Sequence, residues 1–236
     1  MDYADYDKMK NWSEANFGIC PSDLHHYFKA ELARHDVRTA GAKILEIGYG
    51  GGQFLGFARA EGATVVGVEI QPMLVHFARA KGFQAYSSLD EAAQDEQTGF
   101  DLVAAFDVFE HLSAQELIDM LQRIGKLLKP QSGKIIARFP NGDSPLSMPI
   151  QNGDYTHKLS LGAGAVDQIL YQAGWRRIYL GDPVWTAPGL SRRVALKLRV
   201  AARRAFETAL AAMYYGAGAP KSLYYNSILI ASPNAS

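Results

Sequence analysis

Two histidines, a run of glycines and one acid are the residues of this chain whose types and spacing could do chemistry. His111 ends the segment Asp101-Leu102-Val103-Ala104-Ala105-Phe106-Asp107-Val108-Phe109-Glu110-His111, and His157 lies in Asp154-Tyr155-Thr156-His157-Lys158. An unperturbed imidazole ionises near pH 6.5, so either could take a proton from a hydroxyl near neutrality. The glycines stand in Ile44-Leu45-Glu46-Ile47-Gly48-Tyr49-Gly50-Gly51-Gly52-Gln53-Phe54, an apolar run that turns on glycine into a helix. Glycine permits positive φ and presents bare backbone, so a ligand can lie directly against such a turn at the carboxyl edge of a sheet. The helix N-terminus favours a carboxylate there. Glu69 closes the next apolar run, where an acid can accept hydrogen bonds from ribose hydroxyls, and an adenosine-bearing cofactor is implied. A dinucleotide loop, G-x-G-x-x-G, would need glycine at position 53, which is Gln53.

These residues need a sheet to hold them. Short apolar runs alternate with helix-length amphipathic segments from Lys43 onward, which predicts strands at Lys43 to Ile47, Thr64 to Val68, Phe83 to Tyr86, Phe100 to Phe106 and Lys134 to Phe139. Two further strands are expected at Trp175 to Leu180 and Tyr224 to Ile230. Helices fall around Phe54, Val75, Ala92 and Leu121 and at Val166 to Ala173, with Gly62, Gly82 and Gly174 at the joins. The rhythm implies an α/β fold with a doubly wound, mostly parallel seven-stranded sheet in a single domain, 1–236. Within it, 1–40 reads as a helical cap containing Asp23 to Arg34, 41–180 as the core, 181–223 as a basic helical insertion and 224–236 as the last strand and tail. The stretch Pro140 to Gly153 is too long and polar for a simple turn and is a candidate acceptor loop.

Composition narrows the function. With 236 residues, 48% of them hydrophobic, the chain can bury one α/β core. Its formal charge is zero, so no global field draws it to nucleic acid, which is not expected as a partner. A lone cysteine, Cys20, excludes an internal disulfide and a cysteine-ligated metal cluster. The acidic start, Met1-Asp2-Tyr3-Ala4-Asp5-Tyr6-Asp7, lacks the marks of a signal peptide, and a cytoplasmic location is expected. His25, His26 and His35 read as surface residues. Trp12 and Phe17 read as a lid or simply as anchors of the terminus, and no role is assigned to them.

The E-x-G-x-G-x-G pattern from Glu46 to Gly52 resembles motif I of class I S-adenosylmethionine-dependent methyltransferases. Asp101 to Leu112 is similar to that family's fourth strand and loop, and Leu127 to Lys134 to its approach to strand five, so the likeness covers residues 41–180. It implies that S-adenosylmethionine is the cofactor, with Glu46, Gly48, Gly50 and Asp107 in its site. Gly48 and Gly50 would meet the methionine end, Glu69 the ribose and Ile70 the adenine ring, while Ser88 and Leu89, in Ser87-Ser88-Leu89-Asp90, would enclose adenine. An acid is common in the family where Ser88 stands, and Asp90 is a candidate substitute. Asp107-x-x-Glu110-His111 with His157 also resembles a set that binds a divalent ion in small-RNA ribose methyltransferases and some ubiquinone-pathway O-methyltransferases. Metal-free relatives carry similar spacings, and the site is read here without a metal.

The resemblance implies methyl transfer to a sugar or other small hydroxylated acceptor, with His111 or His157 as the base. Its rivals are a metal-assisted RNA 3′-terminal ribose methyltransferase and a non-catalytic module that only binds the cofactor. The insertion adds a feature of its own. Ser191 to Met213 carries Arg192, Arg193, Lys197, Arg199, Arg203 and Arg204 against one acid, Glu207. On a helix, Val194, Leu198, Ala202, Ala205, Ala209 and Met213 share a face opposite the basic groups, with Leu196 and Val200 interrupting the basic side. Such a helix can rest on the anionic inner face of a membrane, attract a phosphorylated carrier, or pack on a core with a solvated face. Long basic insertions before the last strand also resemble those of bacterial polysaccharide-pathway methyltransferases, which implies a glycan acceptor.

Overall fold

The glycine turn and both histidine segments lie at one edge of a seven-stranded sheet. The computed structural model describes residues 12–96, 99–187, 190–214, 216 and 222–234. Its strands are β1 Lys43–Ile47, β2 Thr64–Val68, β3 Gln84–Tyr86, β4 Leu102–Phe106, β5 Lys134–Pro140, β6 Trp175–Gly181 and β7 Asn226–Pro233. Their order is β3-β2-β1-β4-β5-β7-β6, with β7 antiparallel to both neighbours and the other pairings parallel. The expected α/β, doubly wound and mostly parallel sheet is therefore what forms. The carboxyl ends of β1 to β5 share one edge, with the reversal of strand order falling between β1 and β4.

Helices cover both faces of the sheet: α1 Ser22–Arg34, α2 Gln53–Ala60, α3 Pro72–Ala80, α4 Leu89–Glu96, α5 Ala114–Leu127, α6 Met148–Gln151, α7 Ala163–Ala173 and α8 Leu190–Tyr214. Because side chains alternate along a strand, Leu45 and Ile47 enter one core layer while Ile44 enters the other. Strands buried on both faces read as continuous apolar runs, which is why β1 and β2 match their expected bounds. Local signals set the helix ends: Ser113 and Glu116 form a capping box on α5, and Gly174, at φ +77°, stops α7.

The last strand begins later than expected and runs farther. The Tyr225 carbonyl still accepts from the Asn141 backbone N–H at 2.9 Å, in register with β5, and pairing stops there as the Asn141 side chain takes the Tyr224 carbonyl, Nδ2 at 2.9 Å. The Tyr224 ring turns to Trp185, 5.2 Å away. At the other end, Ala231 to Pro233 pair with Trp175 to Arg177. β4 likewise starts at Leu102, since the Asp101 carboxylate accepts from the Lys43 backbone N–H and from Lys129 Nζ.

α1 crosses one face of the sheet, with buried Phe28 packed between Phe54, Phe57 and Phe106; burying it stabilises by about 1.5–3 kcal/mol. His35 is not a surface residue: its side chain is buried beside Glu31, Nε2 to Oε1 at 3.2 Å, and against the Tyr179 ring. Glu31 Oε2 also accepts from the Val184 backbone N–H, tying α1 to the segment after β6. The insertion helix α8 is seated in an unexpected sense. Leu196, Val200, Arg203 and Glu207 are half-buried and Ala211 buried, while Val194, Leu198 and Met213 point to solvent. The residues that interrupt the basic side are thus those that hold the helix down. No described helix is long and apolar enough to cross a membrane.

Candidate functional site

β1 and β2 bring the first half of the site to the carboxyl edge. Gly48, Gly50 and Gly52 follow β1 with φ of +66°, +50° and +73°, a conformation that favours glycine. A Cβ at Gly48 would stand 2.6 Å from Val108 Cγ2, so the turns after β1 and β4 approach across the crevice where strand order reverses. Glu69 is buried at the tip of β2 and fixed by main chain: its carboxylate accepts from Gly50 N–H at 3.2 Å and from Gln71 N–H at 3.1 Å. Glu46 is also buried. Its carboxyl accepts from the Leu55 backbone, yet burial pushes its pKa well above the usual carboxylate range, and Oε2 has no hydrogen-bond partner among the described residues. A buried acceptor left unpaired is costly unless a ligand group meets it. The tight glycine turn, the Glu46 oxygen and the anchored Glu69 fit an adenosine-bearing cofactor with positive charge at one end.

β4 and β5 carry the second half. Asp107, at φ +58°, ends β4 and is gripped through both oxygens by the Arg138 guanidinium of β5, Nε to Oδ1 at 3.1 Å. The short turn Phe109–His111 then presents His111 to His157, their ring centroids 4.7 Å apart and nearly perpendicular at 75°. Backbone bonds join the segments, the Glu110 carbonyl accepting from Lys158 N–H at 2.7 Å and Leu159 N–H at 3.1 Å.

Hydrogen-bond donors assign the protons on these rings. A carboxylate only accepts, so the Thr156 hydroxyl donates to Asp154 Oδ1 at 2.6 Å. Thr156 Oγ1 must then accept from His111 Nδ1–H, 2.8 Å away, which leaves the lone pair of His111 on Nε2. His157 Nδ1–H donates to the Gln151 carbonyl at 2.9 Å, and its lone pair is on Nε2 as well. Burial, and then the neighbouring His157, hold the His111 pKa below its ordinary value, so the ring is neutral and basic near pH 7. Beside them, burial and then the Asp107 charge push the Glu110 carboxyl up to about 8, and its Oε2 has no hydrogen-bond partner among the described residues. Ligand-capable atoms of Glu110, His111 and His157 lie within 4.8 Å of one another.

The structure gathers Glu46, Gly48, Gly50 and Glu69 around one turn and brings His111 to His157. Ile70, next to Glu69, is 66% exposed, an apolar surface at the rim of the site. The Ser88 hydroxyl is engaged in accepting from Glu91 N–H at 3.1 Å, Leu89 packs on the core, and Asp90 turns outward to Arg123. Asp107 belongs to Arg138 and stands outside the carboxylate–histidine cluster. Trp12, assigned no role from sequence, lies on the glycine turn: a Cβ at Gly50 would come within 2.8 Å of its ring, and Phe17 bears on Gly52 in the same way. Thr156 and Asp154 were missed altogether, because nothing in their spacing shows that they align a histidine elsewhere in the chain.

Known proteins give this geometry a context. A family model described as a methyltransferase domain matches residues 21–179. The ubiquinone biosynthesis O-methyltransferase of Xanthomonas oryzae pv. oryzae (strain PXO99A) is 28% identical over 127 residues, 51% of this chain and 52% of the relative. The protein of that description from Chelativorans sp. (strain BNC1) is 28% identical over 142 residues, 55% of each chain. The matches thus span about half the length of these curated relatives. Among solved structures, a SAM-dependent methyltransferase from Archaeoglobus fulgidus superposes with a TM-score of 0.61 at 20% identity, covering 98% of this chain and 99% of that one. Magnesium protoporphyrin IX methyltransferase from Synechocystis PCC 6803, solved with bound SAM, gives 0.52 at 16% identity over 90% and 79%. At such identities the structures speak for the fold, and the family match speaks for the chain: it belongs to the methyltransferase-domain family of class I, S-adenosylmethionine-dependent enzymes.

Proposed function

We propose that this protein transfers a methyl group from S-adenosylmethionine to a hydroxyl oxygen of a small acceptor, a sugar or a comparable hydroxylated molecule, with the histidine pair removing the proton. The observation that carries this reading is the meeting of His111 and His157, ring centroids 4.7 Å apart, at the turn after β4 whose Val108 bears on Gly48 across the crevice. The relatives named as O-methyltransferases support oxygen as the receiving atom.

When bound, the cofactor supplies an electrophilic methyl carbon on a sulfonium. The chain's own work is to hold donor and acceptor in line and to accept one proton. Glu69 would receive the ribose hydroxyls, Glu46 and the Gly48–Gly50 backbone would take the methionine end, and Ile70 would cover the base. As the acceptor oxygen would bond to the methyl carbon, the carbon–sulfur bond would break with its electron pair going to sulfur, and the oxygen's proton would pass to His111 Nε2 or His157 Nε2. An imidazolium at His111 would be stabilised by the Asp154 carboxylate acting through the Thr156 hydroxyl, which keeps the ring oriented.

The cluster of Glu110, His111 and His157 favours a second reading, in which a divalent cation held by these three binds the acceptor oxygen and lowers its pKa. One carboxylate and two imidazoles suit a transition metal such as manganese better than magnesium, which prefers oxygen ligands. The test incubates the protein with methyl-labelled S-adenosylmethionine and matched sugar alcohols, phenols, amines and thiols, with magnesium, manganese or chelator. Labelled O-methyl product insensitive to chelator is expected; product only on nitrogen or sulfur would overturn the oxygen assignment, and loss with chelator would favour the metal.

A further inference from the structure

Four large apolar side chains on one helix face water. On α8, Val194, Leu198, Phe206 and Met213 are between 53% and 78% exposed, and Ala202, Ala205 and Ala209 are exposed among them. At 100° per residue these seven form a continuous stripe along the helix. Its borders are cationic: exposed Arg192 and Arg199 lie along one side, exposed Lys197 and Arg204 along the other. The opposite face is occupied. Arg203 there pairs with Asp182 and with Glu207 and packs 5.0 Å from the ring centres of Trp185 and Tyr224, so the helix is pinned with its apolar stripe outward.

We infer that α8 docks the protein flat on an anionic lipid bilayer, its apolar stripe in the headgroup region and its two basic borders on lipid phosphates. Charge decides between occupants. A second copy laid face to face would set cationic border against cationic border, and the helix's single acid, Glu207, is turned inward where it cannot compensate. An anionic bilayer meets both borders with opposite charge and accepts the stripe between them. Arginine and lysine recur along the whole helix, so it lies on the surface instead of crossing it. The inference does not depend on which acceptor is methylated.

Co-sedimentation with vesicles tests it, using phosphatidylcholine alone and phosphatidylcholine mixed with phosphatidylglycerol, at low and high salt. Two variants accompany the wild type: Leu198→Gln with Phe206→Gln and Met213→Gln, which removes the stripe, and Arg192→Gln with Lys197→Gln, Arg199→Gln and Arg204→Gln, which removes the borders. Binding to the anionic vesicles is expected to exceed that to neutral ones at least tenfold, to fall with salt, and to drop at least tenfold in each variant. Equal binding to both vesicles, no binding, or unchanged binding of the stripe variant overturns the inference. So does a soluble dimer that the stripe variant dissociates. Helical circular dichroism and calorimetric binding of S-adenosylmethionine should match wild type in both variants, separating a failure of docking from a failure of the fold or of the methyl-transfer reading.

Discussion

Around the turn after β1, position is set by main chain: Gly50 and Gln71 N–H groups clamp Glu69, and glycines at positive φ let Val108, Trp12 and Phe17 close against the backbone. Around the histidines, side chains from other segments take a larger part, Thr156 and Asp154 on His111 and Arg138 on Asp107, while the nearby Gln151 main-chain carbonyl holds His157. The first construction barely depends on which side chains are present beyond glycine and one acid. The second can be rewired by single substitutions while the strands stay in place. A shared donor needs the first kind of site, and acceptors that differ between relatives need the second.

The largest effect should come from the side-chain half. His111→Ala or His157→Ala, whichever removes the base, should lower turnover by roughly 100-fold or more while cofactor binding survives. Turnover kinetics beside calorimetry would show it, and two fully active variants would end the assignment. The pH profile sharpens the point. A base works unprotonated, and the His111 pKa is held down, so activity should persist below about pH 6.5 and fail only as pH drops through that lowered value. A smaller effect belongs to the main-chain half: Glu69→Ala should weaken cofactor binding by about 1.5–3 kcal/mol, the range for hydrogen bonds to a charged group. Unchanged affinity in a folded variant would place the ribose elsewhere. The smallest tests the link between side chains. Thr156→Val keeps the shape and removes the hydroxyl, and should cost about 1 kcal/mol, roughly a fivefold loss of turnover with cofactor affinity intact. If affinity fell and turnover did not, Thr156 would belong to the cofactor half.

The same division governs what could be read from the residues in order. β1 and β2, Glu69 and the glycine turn are legible because their signals are local: apolar runs, glycine spacing, an acid at a strand tip. The ends of β7 are not, since pairing stops where the Asn141 side chain takes the Tyr224 carbonyl. His111 and His157 are legible as chemical types but not as neighbours, and the Thr156–Asp154 link is invisible without the fold. α8 shows the limit in another form. Its periodicity is plain, yet which face is buried depends on Asp182, Trp185 and Tyr224, which give Arg203 a partner and a surface to pack on.

One contact orders events in time. Gly56 on α2 is bare because the Gly18 carbonyl oxygen lies where its side chain would be, within 1.8 Å of a Cβ, and Gly18 N–H donates to the Gly51 carbonyl at 2.9 Å. Both partners of this joint lie downstream of the segment that it secures. During synthesis, residues 12–18 therefore leave the ribosome before the surface that receives them has been made, and they can dock only once β1, the glycine turn and α2 have followed. The segment that closes over the glycine turn is made before its own seat and cannot be among the first parts to settle.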